Sequence, residues 1–192
     1  MTLTQTQEQI LDAAMNCIIR DGMEGASMRS VAREAEVSLG LLSYHFDDKR
    51  TLIVAAFQLV TDRLFAASLE TLEGIEDPEE RVRAYIHNAF TPEFLTPDYL
   101  ALRLALWAIS RTDPLIAKAE SKHERRYTNQ LAMLIRTARP SVSKREADNR
   151  ATDVIVTQNG LWLNWARYQK KADLERGLRR CEAIAFGLSS AD

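Results

Sequence analysis

The sequence is 192 residues long with only two cysteines and three histidines, and it has no long unbroken apolar run; each scarcity removes a class of protein. Cys17 and Cys181 are far apart and each falls on an apolar helical face, so they read as buried reduced thiols rather than a disulfide or a metal site. His45, His87 and His123 are isolated, and no pattern sets them with a serine and an acid. A glycine-rich phosphate loop and metal-ligand spacings are also missing, so the expectation is no enzyme and no cofactor. No stretch approaches the apolar length needed to span a bilayer, and MTLTQTQEQ lacks the basic and apolar regions of a signal peptide. The chain is therefore expected in the cytoplasm, without a membrane partner. Internal repeats and low-complexity segments are absent as well.

What is present is helical periodicity almost throughout. After the polar stretch Met1 to Gln7, the residues Ile10, Ala13, Ala14, Cys17 and Ile18 form a first face, closed by Gly22 and Gly25. From Lys49, a stripe of Ile53, Ala56, Phe57, Val60 and Leu64 runs without a breaker to Gly74. Asp77-Pro78 and Asp113-Pro114 are each a cap followed by proline at the first helical position. Ser143 with Glu146 reads as a capping box, and Leu174, Leu178, Cys181, Ala185 and Leu188 mark a last helix. Between Pro97 and Ser110 the sequence is apolar nearly all round, with Arg103 the charge within YLALRLALWAIS, which predicts a helix buried at the centre of a second domain. The fold class is all-α with about nine helices, divided into a small domain over 1–48 and a larger one over 49–192.

Ser27 to Lys49 is the most specific stretch. Ser27 and Ser38 can each cap a short helix, and the linking Glu36-Val37 is brief enough to force a sharp turn with Val37 buried in the angle. Those features spell a helix-turn-helix. Gly40, in the first turn of the second helix, is disfavoured by propensity and leaves room for a close backbone approach.

The residues Val37, Ser38, Gly40, Tyr44, His45, Phe46, Lys49 and Leu52 follow a pattern that resembles the DNA-binding domain of TetR-family transcriptional repressors. The likeness runs from Ile10 through Leu52, and the remaining length suits that family's helical ligand-binding and dimerisation domain. It implies DNA contacts from Ser38, Leu39, Gly40, Leu41, Ser43, Tyr44 and His45, with Ser27, Arg29 and Lys49 toward phosphates. Ser43 can hydrogen-bond a base, Leu39 and Leu41 can meet thymine methyls, and Tyr44 and His45 suit the backbone better. Leu42 and Phe46 read as core. The implied partner is a double-stranded, palindromic DNA operator bound by a homodimer.

Charge departs from that expectation. Through Arg50 the basic residues are Arg20, Arg29, Arg33, Lys49 and Arg50, against Glu8, Asp12, Asp21, Glu24, Glu34, Glu36, Asp47 and Asp48. Weak non-specific binding follows, because that affinity tracks the number of phosphates neutralised.

In the second domain Tyr85, Phe90, Trp107, Tyr127, Asn159 and Trp162 are candidate ligand-binding residues on inferred inner faces, with Trp165, Gln158 and His123 nearby. Core packing is the alternative for each aromatic. The segments LALWAISRTDPLI and QNGLWLNWA are similar to the BetI branch of the family, which implies a cationic amine as the small-molecule inducer, held by aromatic faces. An uncharged hydrophobic or aromatic metabolite is the alternative ligand. Glu93, Asp98, Glu120 and Asp153 are candidate countercharges. Ala151, Gly160, Gly177 and Ala185, on the last two helices, suit a dimeric four-helix bundle or close packing within one chain. A helical adaptor that binds only protein is the rival to a DNA-binding regulator.

Overall fold

A computed structural model describes residues 3–188, apart from the side chain of Glu93. Met1 and Thr2 of the N-terminal stretch lie outside the described residues. Among those described there are nine α-helices and no strand: α1 Gln5–Gly25, α2 Met28–Glu34, α3 Leu39–His45, α4 Lys49–Glu70, α5 Pro78–Asn88, α6 Pro97–Ser110, α7 Pro114–Ala138, α8 Lys144–Tyr168 and α9 Lys171–Phe186. A 3-10 turn, Pro92–Phe94, precedes α6. The contacts divide the chain into two compact units, residues 1–64 with 98–122, and residues 65–97 with 123–192.

In the first unit Thr4 and Gln7 close a reciprocal capping box at the start of α1. Gly22, with φ of 71°, breaks the helical geometry near the other end, a conformation that glycine adopts without penalty. Ser27 accepts from the Ser30 N–H at 3.1 Å and Ser38 from the Leu41 N–H at 3.1 Å, so both predicted caps are made. Between them Glu36 takes φ of 53° to turn the chain, and Val37 is half-buried against the core. Gln9 of α1 donates to the Ala35 carbonyl at 2.8 Å, satisfying an acceptor at the end of α2. Ile10, Leu11, Ala14, Val31, Leu42, Phe46 and Leu52 form one apolar core beneath these helices, and Leu102, Leu106 and Ile116 belong to it.

Two expectations change. The buried residues of α6 are Leu100, Leu102 and Leu106, whereas Ala101, Leu104 and Ala108 face outward, so α6 is not buried all round. By its contacts it clusters with α1 to α3 in the first unit. Apolar composition says what a helix can bury, not which neighbours reach it. The helix α4 is, by length and composition, apolar enough to cross a membrane, contrary to the expectation that no stretch approaches this. Its apolarity serves packing: Leu52, Ile53, Ala56, Phe57 and Phe65 are buried within the protein, and Arg63 pairs with Asp12 at 2.5 Å.

In the second unit Asp77 caps α5 through the Glu79 N–H at 2.9 Å. Ser143 caps α8 through the Glu146 N–H at 3.2 Å, while the Glu146 carboxylate accepts from Arg150 rather than closing the box. Gln169, left-handed at φ of 49°, ends α8. Helices α8 and α9 then pair closely, burying Ala151, Val154, Leu178, Cys181 and Ala185.

Candidate nucleic-acid interface and ligand cavity

Seven residues make α3, and its two sides differ sharply. Leu42 is fully buried and the following Phe46 nearly so, fixing one side in the core. On the other side Leu39, Gly40, Leu41, Ser43 and Tyr44 are exposed, with Tyr44 at 83%, Leu39 at 40% and Leu41 at 39%. The Tyr44 ring meets His45 in a T-shaped contact, with centroids 5.2 Å apart. Exposed apolar residues on a short polar-capped helix are costly to leave in water, and grouped ones mark a recognition surface. Gly40 fits the same description. A Cβ there would meet nothing nearer than Ser38 Oγ at 3.9 Å, so no neighbour among the described residues demands glycine.

The cations are unevenly available. Arg20 is held by Asp21 and Glu34 at 2.9 and 2.8 Å, and Arg50 by Asp113 at 2.6 Å. Lys49 donates its Nζ to the Met23 carbonyl at 2.5 Å, tying the end of α1 to the start of α4. Arg29 and Arg33, one turn apart on α2, are exposed and form no ion pair among the described residues. Arg33 was not among the DNA-contact residues read from sequence, because only the absence of a close ion pair distinguishes it from Arg20. Ser27 and Ser38 are exposed but already employed as caps, and His45 is half-buried. Several acids are likewise occupied. The Arg20 guanidinium holds the Asp21 carboxyl below the usual range, and the backbone N–H of Thr51 does the same to Asp48 as it caps α4.

The candidate ligand residues fall into three groups. Tyr85 and Tyr127 stack with centroids 4.5 Å apart, and each hydroxyl donates to the other's carbonyl, at 3.3 and 3.0 Å. Burial pushes the Tyr85 hydroxyl far above its ordinary pKa, so it remains a neutral donor. Phe90 meets Trp162 edge-on at 5.8 Å, and the Trp162 indole donates to the Ala89 carbonyl at 3.1 Å. Asn159 is half-buried one turn from Trp162's side of α8. Trp107 lies in the other unit, where its indole donates to Glu120 Oε1 at 2.9 Å and Arg103 sits over its ring at 5.1 Å.

That last group borders a cavity of about 10 Å³ between α4, α6 and α7, walled by Phe57, Val60, Leu102, Leu106, Arg103 and Glu120 among others. Of the four candidate countercharges, Glu120 lines it, Asp98 and Asp153 are exposed, and the Glu93 side chain lies outside the described residues. Arg103 and Tyr99 of this cavity were not singled out as ligand residues. Their helix is apolar nearly all round, so periodicity could not tell which side would enclose a space. Among the described residues no cluster of three or more His, Cys, Asp or Glu is arranged as a metal site.

Comparison with known proteins matches both parts of the chain. The model for bacterial regulatory proteins of the tetR family matches residues 10–56, and that for the BetI-type transcriptional repressor C-terminal region matches residues 78–187. The HTH-type transcriptional regulator BetI of Burkholderia cenocepacia is 30% identical over 159 residues, covering 82% of this chain and 80% of that protein. A proposed transcriptional regulator from Pseudomonas aeruginosa PAO1 has a similar structure, with a TM-score of 0.82 at 26% identity, covering 94% of this chain and 88% of that one. Another, from Saccharomonospora viridis and solved in complex with choline, has a TM-score of 0.79 at 22% identity, covering 95% of this chain and 96% of that one. At that identity the likeness carries the fold alone.

Proposed function

This chain belongs to the TetR family of transcriptional regulators, with a BetI-type C-terminal region, and we propose that it is a homodimeric repressor of a palindromic operator, released by a small-molecule inducer. The observation that carries this is the exposed side of α3, where Leu39, Gly40, Leu41, Ser43 and Tyr44 stand clear of the core on a helix that Leu42 and Phe46 anchor. In the major groove Ser43 would bond a base edge and the two leucines would cover thymine methyls. Arg29, Arg33 and the cap residues Ser27 and Ser38 would meet the backbone, joined by Tyr44, His45 and Lys49.

One such helix covers too little DNA for a specific site, so two copies are needed. An exposed stripe on α8 suits the pairing: Val156 is 64% exposed and Leu163 47%, with Gly160 between them at helical spacing. The buried Ala151 and Ala185 and the half-buried Gly177 instead suit the pairing of α8 with α9 inside one chain.

For the inducer, the cavity beside Trp107 is the favoured site. A cationic amine is the first class to try, because the Saccharomonospora viridis neighbour binds choline and because Glu120 supplies a carboxylate next to aromatic rings. An uncharged hydrophobic metabolite is the second, favoured by Phe57, Val60, Leu102 and Leu106 and by the presence of Arg103 opposite Glu120's charge. Repression would be relieved through α4, which carries both cavity residues and the end adjoining α3. A hundredfold preference of the ligand for the released arrangement is worth about 2.7 kcal/mol, enough to empty an operator near its threshold.

The test is selection of DNA fragments by the purified protein, followed by mobility shifts on the selected sequence with choline and with a hydrophobic amine-free compound such as toluene. Recovery of an inverted repeat supports the proposal. Failure to enrich any sequence would leave the protein-only adaptor as the better account.

A further inference from the structure

The cavity between α4, α6 and α7 is small and partly open. Its volume of about 10 Å³ is at the lower limit for one water molecule, so an organic occupant must widen the space between the helices that line it. Phe57 and Val60 on α4 face Leu102 and Leu106 on α6 and Glu120 on α7 across that space. Admitting a ligand therefore means drawing α6 or α7 away from α4.

One polar connection resists this movement. Arg50, in the first turn of α4, donates from Nε to Asp113 Oδ2 at 2.6 Å and from Nη2 to Oδ1 at 2.8 Å. Such a two-pronged, charge-assisted pair is strong and tolerates little change of angle. The carboxylate is itself held rigidly. Its Oδ1 accepts the N–H groups of Leu115 and Ile116 at 2.8 and 3.2 Å as the cap of α7, and the Asp113 N–H donates to the last turn of α6 at Ile109. Asp113 thus moves only with the α6–α7 corner. Arg50 is equally constrained, because the neighbouring Lys49 is fastened to the Met23 carbonyl and Asp48 caps the same helix end. Only the Phe46–Asp48 segment separates this end of α4 from the recognition helix α3. From Arg50 to Phe57 is about two turns, or roughly 10 Å of helix, so the cavity and the pair sit on one short lever.

We propose that the Arg50–Asp113 pair is the latch of this cavity: it holds the α6–α7 corner to the first turn of α4 while the cavity is narrow, and widening it for a ligand parts the pair and frees the α4 end that carries α3. The latch rests on the assignment of the chain as an operator-binding regulator, and it names the contact through which the inducer site is coupled to DNA. Since coupling is reciprocal, operator binding tightens the latch and keeps the cavity narrow.

The full-length protein and three variants test it: Asp113→Asn, Arg50→Gln and the double variant. Asparagine caps a helix as well as aspartate does, so Asp113→Asn keeps the start of α7 and removes the charge. Two quantities are measured, affinity for the DNA fragment selected by the wild-type protein, and amide hydrogen exchange across residues 104–117 with and without that DNA. The latch predicts that each single variant binds DNA about tenfold more weakly, within the usual range of coupling between sites. It also predicts that the double variant is no weaker than either, and that exchange across 104–117 quickens and loses its protection by DNA. Weakening by Arg50→Gln alone, with Asp113→Asn like wild type, would mean that Arg50 touches phosphate directly and would overturn the latch. Additive effects of the two changes, or exchange unchanged in both variants, would overturn it too. If the wild-type protein selects no DNA, the operator assignment fails, and faster exchange across 104–117 in Asp113→Asn still reads the latch by itself.

Discussion

Gly177 on α9 lies against Leu161 on α8 so closely that a Cβ built on the glycine would stand 2.1 Å from Leu161 Cδ2. A Cβ on Gly160, on α8, would meet nothing within 4 Å among the described residues. Replacing each by alanine separates the two roles. Gly160→Ala should gain about 1 kcal/mol of helix propensity. Gly177→Ala should forfeit that gain to overpacking worth about 1–3 kcal/mol. Urea midpoints in dilute protein measure both. A Gly160→Ala advantage that disappears as the protein concentration rises marks Gly160 as a dimer contact.

Leu41 and Leu42 are neighbours in sequence with opposite tasks. Leu42→Ala should cost about 2–5 kcal/mol of stability, because it empties a fully buried site. Leu41→Ala and Ser43→Ala should leave the thermal midpoint nearly unchanged and shift the sequences recovered in DNA selection. Unaltered preference would remove both residues from base readout.

Arg29→Ala and Arg33→Ala should each lower the slope of log K against log salt by about one phosphate contact. Lys49→Ala should do the same only if Lys49 leaves the Met23 carbonyl on binding DNA. A thermal shift without a slope change would identify Lys49 as a structural tie.

Glu36 is left-handed in the turn between α2 and α3, a conformation costing a side-chain-bearing residue about 1–2 kcal/mol. Glycine loses more chain entropy on folding, about 0.5–1 kcal/mol, so Glu36→Gly should stabilise the protein by roughly 0.5–1 kcal/mol. It also removes a negative charge beside the recognition helix, so operator affinity should rise. Chemical denaturation and mobility shifts check the two effects separately.

The Arg50 guanidinium holds the Asp113 carboxyl down to about 2, from an ordinary value of 3.8. A carboxyl depressed in the folded state contributes stability that is complete above its unfolded value and fades as pH falls through the folded one. The contribution of this pair should therefore be constant at neutral pH and disappear between about pH 4 and pH 2. Asp113→Asn should flatten that part of the stability profile, and acid titration followed by circular dichroism measures it.

Much of the molecule was legible in order along the chain. Ser27, Ser38, Asp77, Asp113 and Ser143 cap the helices that their positions announce, since a cap bonds residues two or three places away. The helix-turn-helix was legible for the same reason, and Leu42 and Phe46 are the core residues that the spacing predicts. The candidate ligand cavity was not. Trp107 and Trp162 look alike in sequence, each on an apolar helical face, yet Trp107 reaches Glu120 beside a cavity while Trp162 donates to the Ala89 carbonyl.

By itself, then, the sequence determined the helices, their caps, the short turn at Glu36-Val37 and membership of a regulator family, because periodicity and capping act over a few residues. Tertiary structure decided that Leu102 and Leu106 of α6 join the core of the first unit, that a small space lies beside Glu120, that Arg63 pairs with Asp12, and that Arg50 joins Asp113 across 63 positions. Those outcomes depend on which helix faces meet. Apolar faces are interchangeable in composition, and only their mutual packing selects the partners.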